Sequence, residues 1–72
     1  MAWESYDNFE SSNIFALRYD SETWRLEVTF HGGATYHYFD VPVEIWEGIK
    51  NAPSQGVYLN AEIKGRYHYA KV

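Results

Sequence analysis

The chain has 72 residues, room for one small domain. Its 46% hydrophobic content excludes an intrinsically disordered chain, and a net charge of −4 excludes both a uniformly basic nucleic-acid binder and a densely acidic duplex mimic. It contains no cysteine, so it has neither a disulfide staple nor a thiolate metal site.

A chain this short buries only about 60% of its unfolded surface and needs a dense core. Three Trp, seven Tyr and four Phe supply that density, and they exceed the needs of one small core. Some of these rings are therefore expected on the surface, in a site or in an oligomer interface. No apolar run approaches the roughly 18 residues of a membrane span. The first ten residues carry neither a basic region nor an apolar stretch, so no secretory signal is expected. The expected location is a reducing cytoplasm.

Residues 1–10 read as an acidic–aromatic tail ahead of a domain over 11–72. Trp3, Tyr6 and Phe9 recur every three residues, interleaved with Glu4, Asp7 and Glu10. This pattern fits either a helical turn or an extended strip docked on the domain. Asn13–Tyr19 is the first strand candidate. Ile14 and Leu17 have opposite parity, so a bulge near Phe15-Ala16 is needed to put both on one face. Asp20 to Thr23 is a turn of residues that bond their own backbone. Trp24 to Phe30 alternates cleanly, with Trp24, Leu26, Val28 and Phe30 on the buried face. His31-Gly32-Gly33 makes a hairpin, and Ala34 to Phe39 is a third strand.

Pro42 marks a change of period. Ile45, Trp46, Ile49 and Ala52 share one helical face, and Gly48 within it signals a close contact. Ser54 is placed to cap a second helix running to about Lys64, with Gly65 as its stop. Arg66 to Val72 alternates like a strand and either returns to the sheet or remains a tail. The expected fold is α+β: a three-stranded antiparallel meander followed by two helices on one face, β-β-β-α-α, with a further short C-terminal strand as the open question. The other sheet face (Arg25, Glu27, Thr29, Thr35, His37, Phe39) would be free to dock the tail, a partner or a second copy.

Charge is polarised. Residues 1–49 hold two basic and nine acidic side chains, net −7, whereas residues 50–72 hold four basic and one acidic, net +3. The C-terminal part is thus able to face an anion although the whole chain is acidic. Two Y-H-Y triplets, at 36–38 and 67–69, read either as stacking platforms for unstacked bases or as core-face tyrosines with hydroxyls at the sheet rim. His31, His37 and His68 lack metal-ligand spacing, so no metal is expected. No nucleophile elbow, phosphate loop or carboxylate pair frames Asp20, His37 or the serines, so neither enzyme activity nor a cofactor is expected.

Several short motifs occur in order along the chain: S-S-N-I (11–14), Y-D (19–20), L-E-V-x-F (26–30), G-x-x-Y-x-Y (33–38), V-P (41–42), A-x-S-x-G (52–56) and N-x-x-I-x-x-x-Y-x-Y (60–69). On these the chain from Ser11 to Val72 resembles the KTSC domain, named for the C-terminus of some lysyl-tRNA synthetases and found also as small stand-alone bacterial and phage proteins. The family has no established function. The synthetase connection implies RNA binding, an associational warrant. Relatives often carry basic residues after the Asn matching Asn60; here Ala61 and Glu62 thin that charge, which implies weaker phosphate contact.

Two functions follow as expectations. One is a non-catalytic RNA- or tRNA-binding module, weak and salt-sensitive, using Lys50, Lys64, Arg66, Tyr67, Tyr69 and Lys71. The other is a protein-interaction module or modulator of a host protein, using Trp3, Tyr6 and Phe9 or the open sheet face. A monomer and a homodimer joined through open sheet faces both remain compatible with the sequence.

Overall fold

A computed structural model describes residues 2–7, 9 and 11–72. Its strands are β1 (Trp3–Tyr6), β2 (Ile14–Asp20), β3 (Arg25–Phe30), β4 (Thr35–Tyr38) and β5 (Tyr69–Lys71). Between β4 and β5 lie helix α1 (Val43–Asn51), helix α2 (Gln55–Tyr58) and a π-helical turn (Leu59–Ile63) that continues α2. The strands form one antiparallel sheet in sequence order, β1-β2-β3-β4-β5. The α+β class stands, but the sheet has five strands rather than three. Residues 3–6 add one edge and residues 69–71 the other.

The bulge falls where the parity of the apolar residues requires it. The register of β2 on β3 shifts between Ile14 and Ala16. Ile14 and Leu17 are both buried as a result, and Phe15 is turned out to solvent. Leu17 and Tyr19 of β2 then join Leu26 and Val28 of β3 and Tyr38 of β4 on one buried face. Trp46 and Ile49 of α1, with Leu59 and Ile63 of the π turn, complete the core. Tyr19 stacks on Trp46 at 5.4 Å between centroids, and its hydroxyl donates to the Val41 carbonyl at 2.6 Å. Burial of that ring is therefore not offset by an unpaired phenol.

Trp24 departs from its expected place on the buried face. It lies outside β3, is 52% exposed, and has φ +58°. The Asp20 carboxylate closes the turn by accepting from the Glu22 backbone N–H at 2.9 Å. The chain becomes extended only at Arg25, and a left-handed residue at 24 breaks the alternation, turning the indole outward. The Trp24 carbonyl meanwhile accepts from Val41 N–H at 2.8 Å, joining the start of β3 to the loop after β4.

The helical segments follow their local chemistry. Pro42 precedes α1, Glu44 lies in its first turn and Lys50 in its last, as the macrodipole favours. A Cβ at Gly48 would fall on the Tyr58 hydroxyl, so the glycine is what lets α1 and α2 approach. The Ser54 hydroxyl accepts from Val57 N–H at 3.3 Å and caps α2. The buried Gln55 amide donates to the Ile49 and Ala52 carbonyls at 3.3 and 3.1 Å, satisfying the end of α1. The π turn closes with Lys64 N–H donating to Leu59 at 2.8 Å, and Gly65, at φ +81°, then turns the chain toward β5.

Candidate functional site

The helical segments bury Leu17, Tyr19, Leu26 and Val28 and, on β4, Tyr38, whereas Tyr36 is half-buried and β5 is exposed. In β5, Tyr69 lies opposite Tyr38 and Lys71 opposite Tyr36. Pairing puts these residues on the helix-side face. The result is a pocket of about 490 Å³ lined by Phe30, Ala34, Tyr36, Tyr38, Lys64, Gly65 and Tyr69. Its aromatic wall is continuous. Phe30 meets Tyr36 edge-on at 5.7 Å, Tyr36 meets Tyr69 at 5.9 Å, and Tyr38 meets Tyr69 at 5.8 Å. Tyr38 is the buried floor at 3% exposure, whereas Tyr69 is 61% exposed and forms the outer wall.

The pocket holds one cation. Lys64 Nζ lies 5.4 Å from the centre of the Phe30 ring. Burial pushes the Tyr38 phenol above its ordinary range, and the Tyr36 and Tyr69 phenols push it the same way. That hydroxyl therefore stays protonated at neutral pH, a donor among aromatic faces.

Only part of the sequence-derived site converges here. Lys64 and Tyr69 line the pocket, Lys71 projects from β5 opposite Tyr36, and the exposed Arg66 follows the Gly65 rim. Tyr67 packs against the core instead. Lys50 is held elsewhere, donating to Glu4 at 2.8 Å and pairing with Glu47 at 3.3 Å. Glu4 raises the Lys50 pKa, and Lys50 holds the Glu4 carboxyl below its ordinary value. Sequence reasoning did not assign Phe30 and Ala34 to a site, and it left Tyr36 and Tyr38 between a stacking platform and the core face. The two readings meet in the structure: Tyr38 is buried, yet it and Tyr36 share a face with Tyr69 once β5 pairs with β4.

The rings of the N-terminal segment are packed on the chain's own body. Trp3 and Tyr6 are an odd number of residues apart in one strand, so they lie on opposite faces. Trp3 lies on the outer face, where the Arg18 guanidinium stacks over it at 4.5 Å. Arg18 also makes a two-point contact with Glu27, both distances 2.8 Å, and Glu27 contacts His37 Nε2 at 2.9 Å. Tyr6 stacks with Phe9 at 5.5 Å, and both pack against the core.

The first family motif is structural. The Ser11 hydroxyl accepts from the Asn13 and Ile14 N–H groups at 3.2 and 3.1 Å, and His31 N–H donates to Asn13 at 2.9 Å. The S-S-N-I segment thus shapes the entry to β2.

A model of the KTSC domain matches residues 10–67. The chain belongs to the KTSC family. A crystal structure of a KTSC domain protein from Yersinia pestis superposes with a TM-score of 0.89, at 30% identity and covering 99% of both chains. A small protein of Tsukamurella paurometabola is 41% identical over 81% of this chain and 87% of its own. Lysine–tRNA ligase of Trichormus variabilis is 41% identical over 88% of this chain, which corresponds to 11% of the ligase. The KTSC chain thus spans about one ninth of the ligases it matches. Among the described residues, no helix is long and apolar enough to cross a membrane.

Proposed function

We propose that this KTSC domain is a non-catalytic, cytoplasmic module that binds single-stranded RNA at the tyrosine pocket. The observation that carries this reading is the meeting of Phe30 of β3, Tyr36 and Tyr38 of β4, Tyr69 of β5 and Lys64 around one pocket. Bases splayed out of a helix stack on such rings, while nearby cations hold the backbone. The occurrence of this domain within lysine–tRNA ligases supports the same ligand class. Lys64, Arg66 and Lys71 are the cations within reach, and Lys50, already paired, is not among them.

The test is a titration with bulk tRNA and with oligouridylate at low and physiological salt. Three phosphate contacts to a single strand give a log–log salt slope of about −2. Saturable binding with a slope near that value supports the reading; no binding at low salt overturns it.

A second reading has one observation behind it. β5 is an exposed edge strand, and among the described residues no strand pairs with its outer side, which suits the addition of an extended peptide. Peptide capture that survives Tyr69→Ala would favour that use, since strand addition needs the β5 backbone rather than its ring.

A further inference from the structure

We propose that the tyrosine pocket is an anion-selective aromatic cage that takes a single nucleotide, with the base against Tyr69 and the phosphate at Lys64. This deepens, and rests on, the nucleic-acid reading above.

Three observations lead to it. The first is size. About 490 Å³ falls in the range of sites built for one small ligand, too small for a paired duplex. The second is charge. Clustered rings such as Phe30, Tyr36, Tyr38 and Tyr69 would by themselves suit a quaternary ammonium ion. Here Lys64 already fills the cation position over Phe30 at 5.4 Å. A cationic ligand would meet that ammonium, whereas an anion bearing a flat ring would meet both complementary elements. The third is access. Gly65 has no side chain, and apart from its two chain neighbours no atom of the described residues lies within 4 Å of where a Cβ would stand. The rim beside Lys64 is therefore open to the sugar–phosphate backbone entering and leaving. The exposed Tyr69 ring offers a face for stacking.

The experiment is a set of NMR titrations of the ¹⁵N-labelled chain with AMP, adenosine, choline and oligouridylate. AMP is expected to shift the amides of Ala34, Gly65 and Tyr69, and adenosine to bind roughly tenfold more weakly for want of the charge-assisted contact. Choline is expected to shift none of them. In Lys64→Ala the advantage of AMP over adenosine should disappear and choline should begin to shift the same amides. Equal binding of AMP and adenosine by the unmodified chain, or choline binding to it, overturns the proposal. If oligouridylate binds while the pocket amides stay still, the single-nucleotide cage is wrong and RNA binding stands at another surface. If neither oligouridylate nor AMP binds, both readings fall together.

Discussion

The two halves of the helix-side face differ in chemistry as well as in cover. Over β2 and β3 the face is built mainly of Leu17, Tyr19, Leu26 and Val28, sealed beneath Trp46, Ile49, Leu59 and Ile63. Over β4 and β5 it is built of Tyr36, Tyr38 and Tyr69, and the outermost ring, Tyr69, is 61% exposed. The covered half is largely aliphatic, and the hydroxyl of its tyrosine, Tyr19, is satisfied by the Val41 carbonyl. Tyrosine suits a boundary, where its ring is buried and its hydroxyl meets solvent or a ligand. The same sheet thus holds a structural half and a half available for recognition. The covered half should respond to substitution through stability and the open half through binding.

The largest effect is expected in the covered half. Trp46→Ala removes the ring stacked on Tyr19 and should cost about 3–5 kcal/mol, a large share of the stability of a domain this small. Thermal or urea unfolding followed by circular dichroism measures it.

Much of that half was legible in the sequence. The alternation of Leu26 and Val28 gave the buried face, and the parity conflict of Ile14 and Leu17 gave the bulge. The helix cap at Ser54 was readable because it acts three residues ahead on Val57, and the close contact at Gly48 because a glycine inside a helical face marks one. Trp24 misled because a left-handed backbone at one residue resets an alternation that otherwise includes it. The strand at Trp3–Tyr6 was obscured because both of its faces receive a ring, so the apolar period of 2 never appears. The pocket was illegible for a different reason. It exists only once β5 returns to pair with β4, bringing Tyr69 beside Tyr38 across 30 intervening positions. Lys50 was counted as a free cation because its partner, Glu4, lies 46 residues away.

Gly48→Ala sharpens the account of how the covered half closes. The added methyl raises helix propensity by about 1 kcal/mol but displaces the Tyr58 ring, for a net loss of about 1 kcal/mol. A rise in melting temperature instead would show that α1 and α2 do not meet there.

The outer face supplies a pH-dependent term. Hydrogen bonding from Arg18 holds the Glu27 carboxyl below its ordinary value of 4.5, with His37 acting in the same direction against the opposing effect of burial. A carboxyl depressed in the folded state contributes stability fully above its unfolded pKa and loses it as pH falls through its folded pKa. Glu27→Gln should therefore destabilise the chain at neutral pH, and its difference from the unmodified chain should shrink as pH drops below about 4.5. Urea midpoints at pH 7 and pH 3 check this, and a constant difference would contradict it.

Smaller still is Lys50→Ala, which cuts an exposed tie between α1 and β1. Its effect on stability should be about 0.2–1 kcal/mol, with no change in RNA affinity. A loss of affinity would return Lys50 to the binding surface.

Tyr69→Ala tests the contrast between the halves most directly, because Tyr69 is the exposed wall of the pocket and contributes little to the core. Oligouridylate is titrated at low salt into the unmodified chain and into this variant, with melting curves recorded on both. A melting stability within about 0.5 kcal/mol of the unmodified chain, with an affinity loss worth about 1–3 kcal/mol, is the outcome predicted for a recognition surface. Equal affinity for the two proteins would contradict the assignment of RNA binding to this pocket.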